Sequence, residues 1–271
     1  MIYLKKLYSI IVNMNNSDFS KDLHISAMVQ LSKLQTNINL YELARSLETN
    51  RHLLYIEYGS EITKGHNPKK KPKKKLKKYF YNQITVHVYN ESKMNHRINV
   101  KIFNNGRIQM TGINNEYQGA ETIQILSQEC NRLSEIDKIS IFDVEGEIIP
   151  SGEIETVLIN SDFDVHFMID REMLHRLIID QGYFSSYEPC TYPGVNIKYY
   201  HNPLANNFGI CDCDKPCNGK GKDQTCKKIT VAVFKSGKII ITGGRSKDNI
   251  SVAHKFITEF IQENKEKIQL N

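Results

Sequence analysis

The 271-residue sequence contains no tryptophan and no long hydrophobic run. Near its start, the longest apolar run is Leu7–Val12, which is interrupted by Tyr8 and Ser9 and preceded by Lys5 and Lys6. Such a run is too short and too polar to predict a signal peptide or a membrane span, so we expect an intracellular protein with no membrane partner. Hydrophobic residues still make up 40% of the chain, which is enough for one sizeable core or two fused halves.

Patterns that would indicate an enzyme are also missing from the sequence. It has no recognisable nucleophile–base pair, glycine-rich phosphate loop or metal-binding carboxylate cluster, so none of the common catalytic arrangements is predicted. The expected function is therefore non-enzymatic, and no cofactor is required for it.

Acidic residues are absent from one stretch that is crowded with lysine. Between Lys64 and Lys78 there are nine lysines and no Asp or Glu, whereas the other 27 of the 36 Lys and Arg are outnumbered by 30 Asp and Glu. Such a run is typical of a solvated flexible segment or an import signal, or it contacts phosphates through side chains such as Lys73 and Lys74. Its position just before a predicted strand favours phosphate contact.

A strand–turn–strand pattern, in contrast, occurs twice. Val231–Gly243 has two short strands rich in β-branched residues around a Ser-Gly turn, which predicts a β-hairpin. Val100–Gly112 repeats it 131 residues earlier, with Val, Phe, Gly, Ile, Thr and Gly in the same register. A helical pattern follows each copy, at Glu121–Leu133 and at Asn249–Glu263. Two copies of one unit predict a pseudo-twofold fold.

Alternation along the hairpins places a phenylalanine opposite the core residues. Val231 and Val233 share one face of their strand, and Phe234 lies on the other face. Phe103 is its counterpart in the first copy. This pattern fits a sheet that is buried on both sides, and it also fits a sheet whose second face is a binding platform.

Other elements are predicted from periodicity and capping. In the first half we expect a strand at His24–Leu31, a helix at Asn39–Leu47 with Asn39 as its N-cap, and a strand at Ile84–Val88. In the second half we expect a strand at Val157–Ile159 and a helix at Asp170–Ile179.

Three motifs in the second half occur together. Phe184–Pro189 reads FSSYEP, Tyr192–Gly194 is an aromatic-Pro-Gly, and Phe234–Gly243 reads F-x-S-G-K-x-x-x-T-G. In this combination the sequence resembles the second repeat of the TATA-box-binding protein family, and in particular its divergent homologues in large DNA viruses. The resemblance implies an α+β fold in which two pseudo-symmetric repeats form a saddle. Its curved antiparallel sheet has a concave face that meets DNA, and its helices lie on the convex back.

The resemblance extends over residues 22–263 and divides the chain into segments. These are an N-terminal extension (1–21), a first repeat (22–133) with a lysine-rich insertion (64–78), a linker (134–153), a second repeat (154–263) with a cysteine-rich insertion (202–228), and a C-terminal tail (264–271).

The function implied by the resemblance is that of a general transcription initiation factor that binds and bends the DNA minor groove. Its partners would be A/T-rich promoter DNA, a transcription factor IIB-like protein and RNA polymerase, and it would be a monomer on DNA that can dimerise off it. A viral member would act in the host cytoplasm, in the virion or in the nucleus. The alternative is an interaction scaffold that keeps the saddle fold and has lost specific DNA binding.

The resemblance also assigns roles to individual positions. The wedge aromatics that unstack base steps correspond to Phe103, Tyr192, Phe234 and either Phe80 or Tyr81. Groove contacts correspond to Gln109, Thr111, Ile240 and Thr242, and Asn160 is a further candidate for such a contact. Lys101, Arg107, Lys198 and Lys238 are placed to contact phosphates, and the last three match basic positions of the family.

One departure from the family concerns its paired asparagines near the centre of the DNA site. The matching positions hold Ala27 and Leu158, and Asn160 lies two residues from the second of them. This difference argues against recognition of a standard TATA element.

The cysteine-rich insertion contains Cys211, Cys213, Cys217 and Cys226 in the spacing C-x-C-x3-C-x8-C. Four thiolates so spaced can close a small structural zinc site in a loop that has no core of its own. Free thiols in a reducing compartment, or disulfides in an oxidising one, are the alternatives.

Overall fold

The computed structural model describes residues 23–34, 36–67, 79–90, 97–115, 117–137, 141, 153–204, 208–211, 213, 217–221 and 226–270. The predicted N-terminal extension, lysines 69–78 and most of the predicted linker lie outside these ranges. The described chain divides into two compact units, residues 27–158 and residues 159–270 together with 23–26. No helix within the described ranges has the length and apolar character needed to cross a lipid bilayer.

The first unit is built on an antiparallel sheet with the strand order β3-β2-β4-β5-β6-β1. Its elements are β1 (His24–Lys33), α1 (Leu40–Ser46), β2 (Leu53–Tyr58), β3 (Ile62–Gly65), β4 (Gln83–Tyr89), β5 (Arg97–Phe103), β6 (Arg107–Ile113) and α2 (Tyr117–Asp137).

The second unit is built on an antiparallel sheet with the strand order β7-β11-β10-β9-β8. Its elements are β7 (Glu155–Asp164), α3 (Arg171–Asp180), β8 (Phe184–Ser186), β9 (Val195–His201), β10 (Lys227–Val233), β11 (Lys238–Gly244), α4 (Lys247–Glu263) and α5 (Lys265–Ile268).

The two units share one connectivity, which confirms the predicted repeat. In each sheet, a long first strand (β1 or β7) lies beside the second strand of a hairpin (β6 or β11). The first strand of that hairpin (β5 or β10) then pairs with β4 or β9, and β2 or β8 follows. The first unit adds β3 at its edge. The helices and strands listed above from the sequence are present within the described residues, and the α+β fold class is confirmed.

Period-two alternation buries one face of each sheet against helices. In β5, Val100 and Ile102 are buried, whereas Lys101 and Phe103 are only half-buried. Helices α1 and α2 pack on the first sheet, and α4 packs on β9, β10 and β11. Each buried aliphatic side chain contributes about 1.5–3 kcal/mol relative to its exposure. The core of each unit therefore lies between its sheet and its helices. The described helices do not pack on the other face of the sheet.

Side-chain caps fix where the helices begin. The Asn39 side chain accepts a hydrogen bond from the Glu42 amide (3.2 Å) at the start of α1. At α3, Asp170 accepts from the amides of Glu172 and Met173 (both 3.0 Å). Because the first amides of a helix have no intrahelical partner, such caps stabilise it by about 1 kcal/mol.

The tight turns of the two repeated hairpins depend on glycine. Gly106 and Gly237 have φ values of +76° and +88°, in a backbone region that residues with a Cβ rarely adopt. Each glycine amide donates to the carbonyl of the preceding phenylalanine, Phe103 or Phe234, at 3.0 Å. The turn thus fixes the backbone at the end of the strand that carries the phenylalanine.

The β2–β3 hairpin was not predicted from the sequence. It pairs with β4 and contains Lys64, which the sequence analysis placed in the lysine-rich insertion. Lys64 Nζ donates to the carbonyls of Arg45 and Leu47 (both 2.7 Å) and so caps the carboxyl end of α1. The lysine-rich insertion therefore begins after β3, and Lys64 has a structural role.

Candidate nucleic-acid interface

We call the sheet face opposite the helices the open face. In the first unit it carries Lys101, Phe103, Arg107, Gln109 and Thr111, which alternate with buried residues of β5 and β6. In the second unit it carries Lys198, Phe234, Lys238, Ile240 and Thr242 from β9, β11 and the end of β10. Ten of the predicted interface residues thus lie on the same kind of surface, together with Asn160 of β7.

Phe103 and Phe234 occupy equivalent positions, directly before the turn of each repeated hairpin, and both are half-buried. Phe103 lines a cavity of about 610 Å³ together with Leu31, Arg107 and Gln109. The ring centroid of Phe234 lies 5.8 Å from that of Tyr192. Neither phenylalanine lies within the helix-covered core, so both rings are available at the open face.

The aromatic-Pro-Gly motif positions the aromatic pair of the second unit. A Cβ on Gly194 would lie 2.8 Å from the Tyr192 ring and 3.2 Å from the Phe234 ring, so only glycine permits this close approach. The guanidinium of Arg171 donates a hydrogen bond to the Pro193 carbonyl and ties the motif to α3. Tyr192 is 37% exposed, which leaves its ring accessible beside Phe234.

The FSSYEP motif connects the same region to α3. Ser185 Oγ lies 2.9 Å from Nδ1 of His175, and the Arg171 guanidinium lies 5.3 Å from the centroid of the Tyr187 ring. These contacts hold the β8 edge against the helix. The motif therefore supports the placement of the Tyr192 segment.

Strand register resolves which aromatic residue of the first unit corresponds to Tyr192. Ile84 pairs with Ile102 in the first unit, as Val195 pairs with Val233 in the second. Tyr192 lies three residues before Val195, and the residue three positions before Ile84 is Tyr81.

Tyr81 is therefore the structural counterpart, and Phe80 is not. Tyr81 has a different environment from Tyr192. Its ring meets the Tyr58 ring edge-on, with the ring centroids 5.8 Å apart, and its hydroxyl oxygen lies 3.0 Å from Ser60 Oγ. The β2–β3 turn thus supports this ring, while Phe80 is 55% exposed.

The groove positions differ between the two units. In the first unit, Thr111 and Gln109 of β6 pair with Val29 and Leu31 of β1. Gln109 brings an amide to the open face at the position where the second unit has Ile240. The first unit therefore offers a polar group flanked by apolar side chains.

In the second unit, Thr242 and Ile240 of β11 pair with Asn160 and Asp162 of β7. The Thr242 hydroxyl donates a hydrogen bond to Oδ1 of Asn160. This bond occupies the amide oxygen of Asn160 and leaves its amide nitrogen as the donor at this point of the open face. Ile240 is 37% exposed and supplies the apolar surface.

Asp162 is an acidic residue of the open face that sequence reasoning missed. Its side chain is 45% exposed, and its Oδ1 lies 3.8 Å from Nδ1 of His24. Asp162 lies two residues after Asn160 on β7, so the two side chains share one face of the strand. This spacing is the sequence signal that could have predicted its position. A carboxylate at this place opposes the approach of a polyanion.

The predicted phosphate contacts surround these positions with cations. Lys198 Nζ donates to Thr230 Oγ1 (3.0 Å), and its pKa is lowered by burial and, secondarily, by the neighbouring Lys228. Lys228 is exposed on the same face of β10 and was not predicted. Arg107 and Lys238 are exposed at the starts of β6 and β11. Lys73 and Lys74 lie outside the described residues.

The four predicted cysteine ligands are brought together in the loop between β9 and β10. We call Cys211, Cys213, Cys217 and Cys226 the cysteine cluster; their sulfur atoms all lie within 4.8 Å of one another. The remaining cysteines lie elsewhere. Cys130 is buried in α2, where burial and the neighbouring Glu129 raise its pKa to about 12, and Cys190 is exposed.

Comparison with known proteins links this geometry to one family. Residues 153–264 match the family model described as transcription factor TFIID, or TATA-binding protein. A TATA-box-binding protein-like protein of Acanthamoeba polyphaga mimivirus is 28% identical over 214 residues, which cover 74% of this chain and 53% of the viral protein. The chain thus spans about half the length of that relative.

A solved structure shows the same fold over most of the chain. The TATA-binding protein of Methanococcus jannaschii superposes with a TM-score of 0.51 at 19% identity, over 89% of this chain and 99% of the archaeal one. The match to the family model, the viral relative and the shared fold agree with the repeated hairpins described above. Residues 153–264 therefore form a divergent TATA-binding-protein domain, and most of the chain shares the fold of the archaeal TATA-binding protein.

Proposed function

We propose that the protein is a transcription initiation factor that binds the DNA minor groove through its open face and bends the duplex. The observation that carries this proposal is the equivalent placement of Phe103 and Phe234, one in each unit, on the face opposite the helices. A sheet that served only as a core would not need an accessible aromatic ring at both of these ends.

The surrounding side chains suit the chemistry of the minor groove. A·T and T·A pairs present only acceptors there, whereas a G·C pair adds the guanine amino donor. Gln109 and the Asn160 amide nitrogen supply donors, and Ile240 leaves a guanine amino group without a partner. These properties favour A/T-rich DNA.

The aromatic rings would act as wedges. Aromatic and aliphatic side chains that enter the minor groove partly unstack a base step and kink the duplex, as TATA-binding proteins do. The unstacking costs a few kcal/mol per step and is offset by the additional contacts that bent DNA makes. In the second unit, the adjacent rings of Tyr192 and Phe234 form a paired wedge.

Asn160 is proposed to replace the central asparagine that the family has at the position of Leu158. Its amide nitrogen is oriented through the Thr242 hydrogen bond, whereas the matching strand of the first unit has Val29 opposite Thr111. The two halves would therefore read the groove differently, and the preferred site would differ from a standard TATA element.

The partners proposed for this activity are A/T-rich promoter DNA, a transcription factor IIB-like protein and RNA polymerase. The support for the protein partners is the match of residues 153–264 to the TATA-binding-protein family and the similarity of the chain to its viral relative. The support for DNA is the open face itself. Basic residues at its rim, such as Arg107 and Lys238, are placed to neutralise phosphates.

A mobility-shift assay tests DNA binding. Labelled A/T-rich and G/C-rich duplexes of equal length would be titrated with protein at several salt concentrations. We expect tighter binding to A/T-rich DNA and a preference that persists as salt rises, since phosphate contacts alone are indifferent to sequence. Equal affinity for the two duplexes at every salt concentration would contradict minor-groove readout.

An interaction scaffold without specific DNA binding is the second candidate. The observation that favours it is Asp162, whose carboxylate lies on the open face opposite Ile240. A scaffold of this kind would bind initiation proteins through the helices and leave the duplex unbent. Tight association with a transcription factor IIB-like protein, combined with weak binding to all duplexes, would favour this candidate.

A further inference from the structure

The cysteine cluster has the dimensions of a tetrahedral thiolate metal site. The Cys213 and Cys226 sulfurs are 3.5 Å apart, and the Cys226 and Cys211 sulfurs are 3.9 Å apart. Four sulfurs held about 2.3 Å from one zinc ion in a tetrahedron are about 3.8 Å from one another. These two separations lie on either side of this value, and all four sulfurs lie within 4.8 Å of one another.

Backbone hydrogen bonds hold two of these cysteines on neighbouring strands of the loop. The Lys228 amide donates to the Gly219 carbonyl (2.9 Å), and the Gly221 amide donates to the Cys226 carbonyl (3.1 Å). This short antiparallel ladder extends β10 backwards into the loop and places Cys226 beside the turn that follows Cys217. The ligand geometry therefore rests on main-chain contacts that join the loop to the sheet.

A backbone amide contacts one sulfur of the cluster, and three lysines are close to the cluster in sequence or in strand pairing. The Gly219 amide donates to the Cys217 sulfur at 3.3 Å, a contact that stabilises negative charge on sulfur. Lys227 and Lys228 follow Cys226 directly in the sequence, and Lys220 pairs with Lys227 across the ladder. These cations would balance the net charge of a zinc ion bound by four thiolates.

The loop also needs a source of stability other than hydrophobic burial. Its large apolar side chains face solvent: Leu204 is 74% exposed, Phe208 is 78% exposed and Ile210 is 42% exposed. Among the loop residues that the structure describes, Cys226 is the only buried residue other than glycine, with an exposure of 0%. A loop of this composition has little core, and metal sites commonly replace one in such segments.

We propose that the cysteine cluster binds one structural Zn²⁺ ion through its four sulfur atoms. On binding, four thiols release four protons to solvent, four zinc–sulfur bonds form, and the oxidation state of the metal does not change. The ion would link Cys211, Cys213 and Cys217 of the loop to Cys226, which directly precedes β10. This proposal does not depend on DNA binding and stands or falls separately from the function proposed above.

Metal analysis of the full chain tests the proposal, with an internal control. The protein would be purified under reducing conditions without added zinc, alongside Cys217→Ser and Cys190→Ser. We expect about one zinc per chain in the natural protein and in Cys190→Ser, because Cys190 is exposed and outside the cluster. Zinc should fall to background in Cys217→Ser. Absence of zinc from the folded natural protein, or iron in its place, would overturn the proposal.

A thiol titration keeps the test decisive if Cys217→Ser fails to fold. In the native zinc-loaded protein, Cys190 should react rapidly with a thiol reagent, while the cluster and the buried Cys130 should react slowly. A strong chelator should then make four further thiols reactive. Rapid reaction of the cluster before chelation would contradict zinc binding. So would a deficit of thiols after denaturation without reductant, since it would reveal disulfides.

Discussion

At the scale of single residues, strand register distinguishes two adjacent aromatic side chains that the sequence could not separate. Tyr81 is equivalent to Tyr192, whereas Phe80 is one position removed. We predict that Tyr81→Ala weakens DNA affinity and bending, and that Phe80→Ala changes both little. Both rings are about half exposed, so each variant controls for loss of a surface aromatic. If Phe80→Ala instead reduced DNA affinity and bending more than Tyr81→Ala, the wedge would be Phe80.

Asp162 provides a second test at the same scale. Its carboxylate lies on the open face, so Asp162→Asn should raise affinity for DNA about two- to fivefold at low salt, the range expected for one exposed charge. Because salt screens such a charge, the gain should shrink as salt rises. Asp180→Asn, at the exposed end of α3, is the matched control and should change affinity little. An equal gain from both variants would show that only net charge matters.

At the scale of elements, the hairpin turns join fold and function. A Cβ at Gly237 would lie 2.4 Å from the carbonyl oxygen of Phe167, and the glycine has a φ of +88°. Gly237→Ala should therefore lower the free energy of unfolding by about 1–3 kcal/mol. Denaturant unfolding measures this change. Ser236→Ala, in the same turn but with ordinary backbone geometry, should cost much less; equal losses would mean that the turn tolerates a side chain at Gly237.

The elements also show what the sequence could predict and where it could not. The hairpins, capped helices and open-face phenylalanines followed from periodicity, because β-branched alternation and side-chain caps are local signals. The β2–β3 hairpin was missed because a bulge between Leu53 and Tyr55 interrupts the alternation. Strand β7 was predicted too short because Asn160 and Asp162 are residue types depleted in strands; pairing with β11 holds them there.

In the candidate site, too, local sequence patterns predicted some features, and others depended on strand pairing and on distances in the fold. The family resemblance assigned the proposed wedge, groove and phosphate positions, but it could not choose between Phe80 and Tyr81, because that choice depends on strand pairing. Cysteine spacing alone left zinc, free thiols and disulfides open. The distances between the sulfurs, set by the backbone ladder near Cys226, favour the metal.

At the scale of the whole molecule, charge is concentrated in one tract. We predict that replacing the eight lysines between residues 69 and 78 with glutamine lowers affinity for every duplex and flattens its dependence on salt. Each lost phosphate contact should reduce the slope of log affinity against log salt by about 0.9. Lys255→Gln, on the helix side of the second unit, is the control for a lysine away from the open face. An unchanged slope would show that the tract does not contact DNA.

The most direct test of the central claim is fluorescence transfer between dyes at the two ends of an A/T-rich duplex, measured with the natural protein, Phe103→Ala and Phe234→Ala. We predict that the natural protein shortens the end-to-end distance and that each variant reverses this change while its melting temperature shifts little. A buried phenylalanine would instead cost about 3–5 kcal/mol on replacement by alanine. An unbent duplex with the natural protein, or strongly destabilised variants with unchanged bending, would contradict the assignment of the open face as a DNA-bending surface.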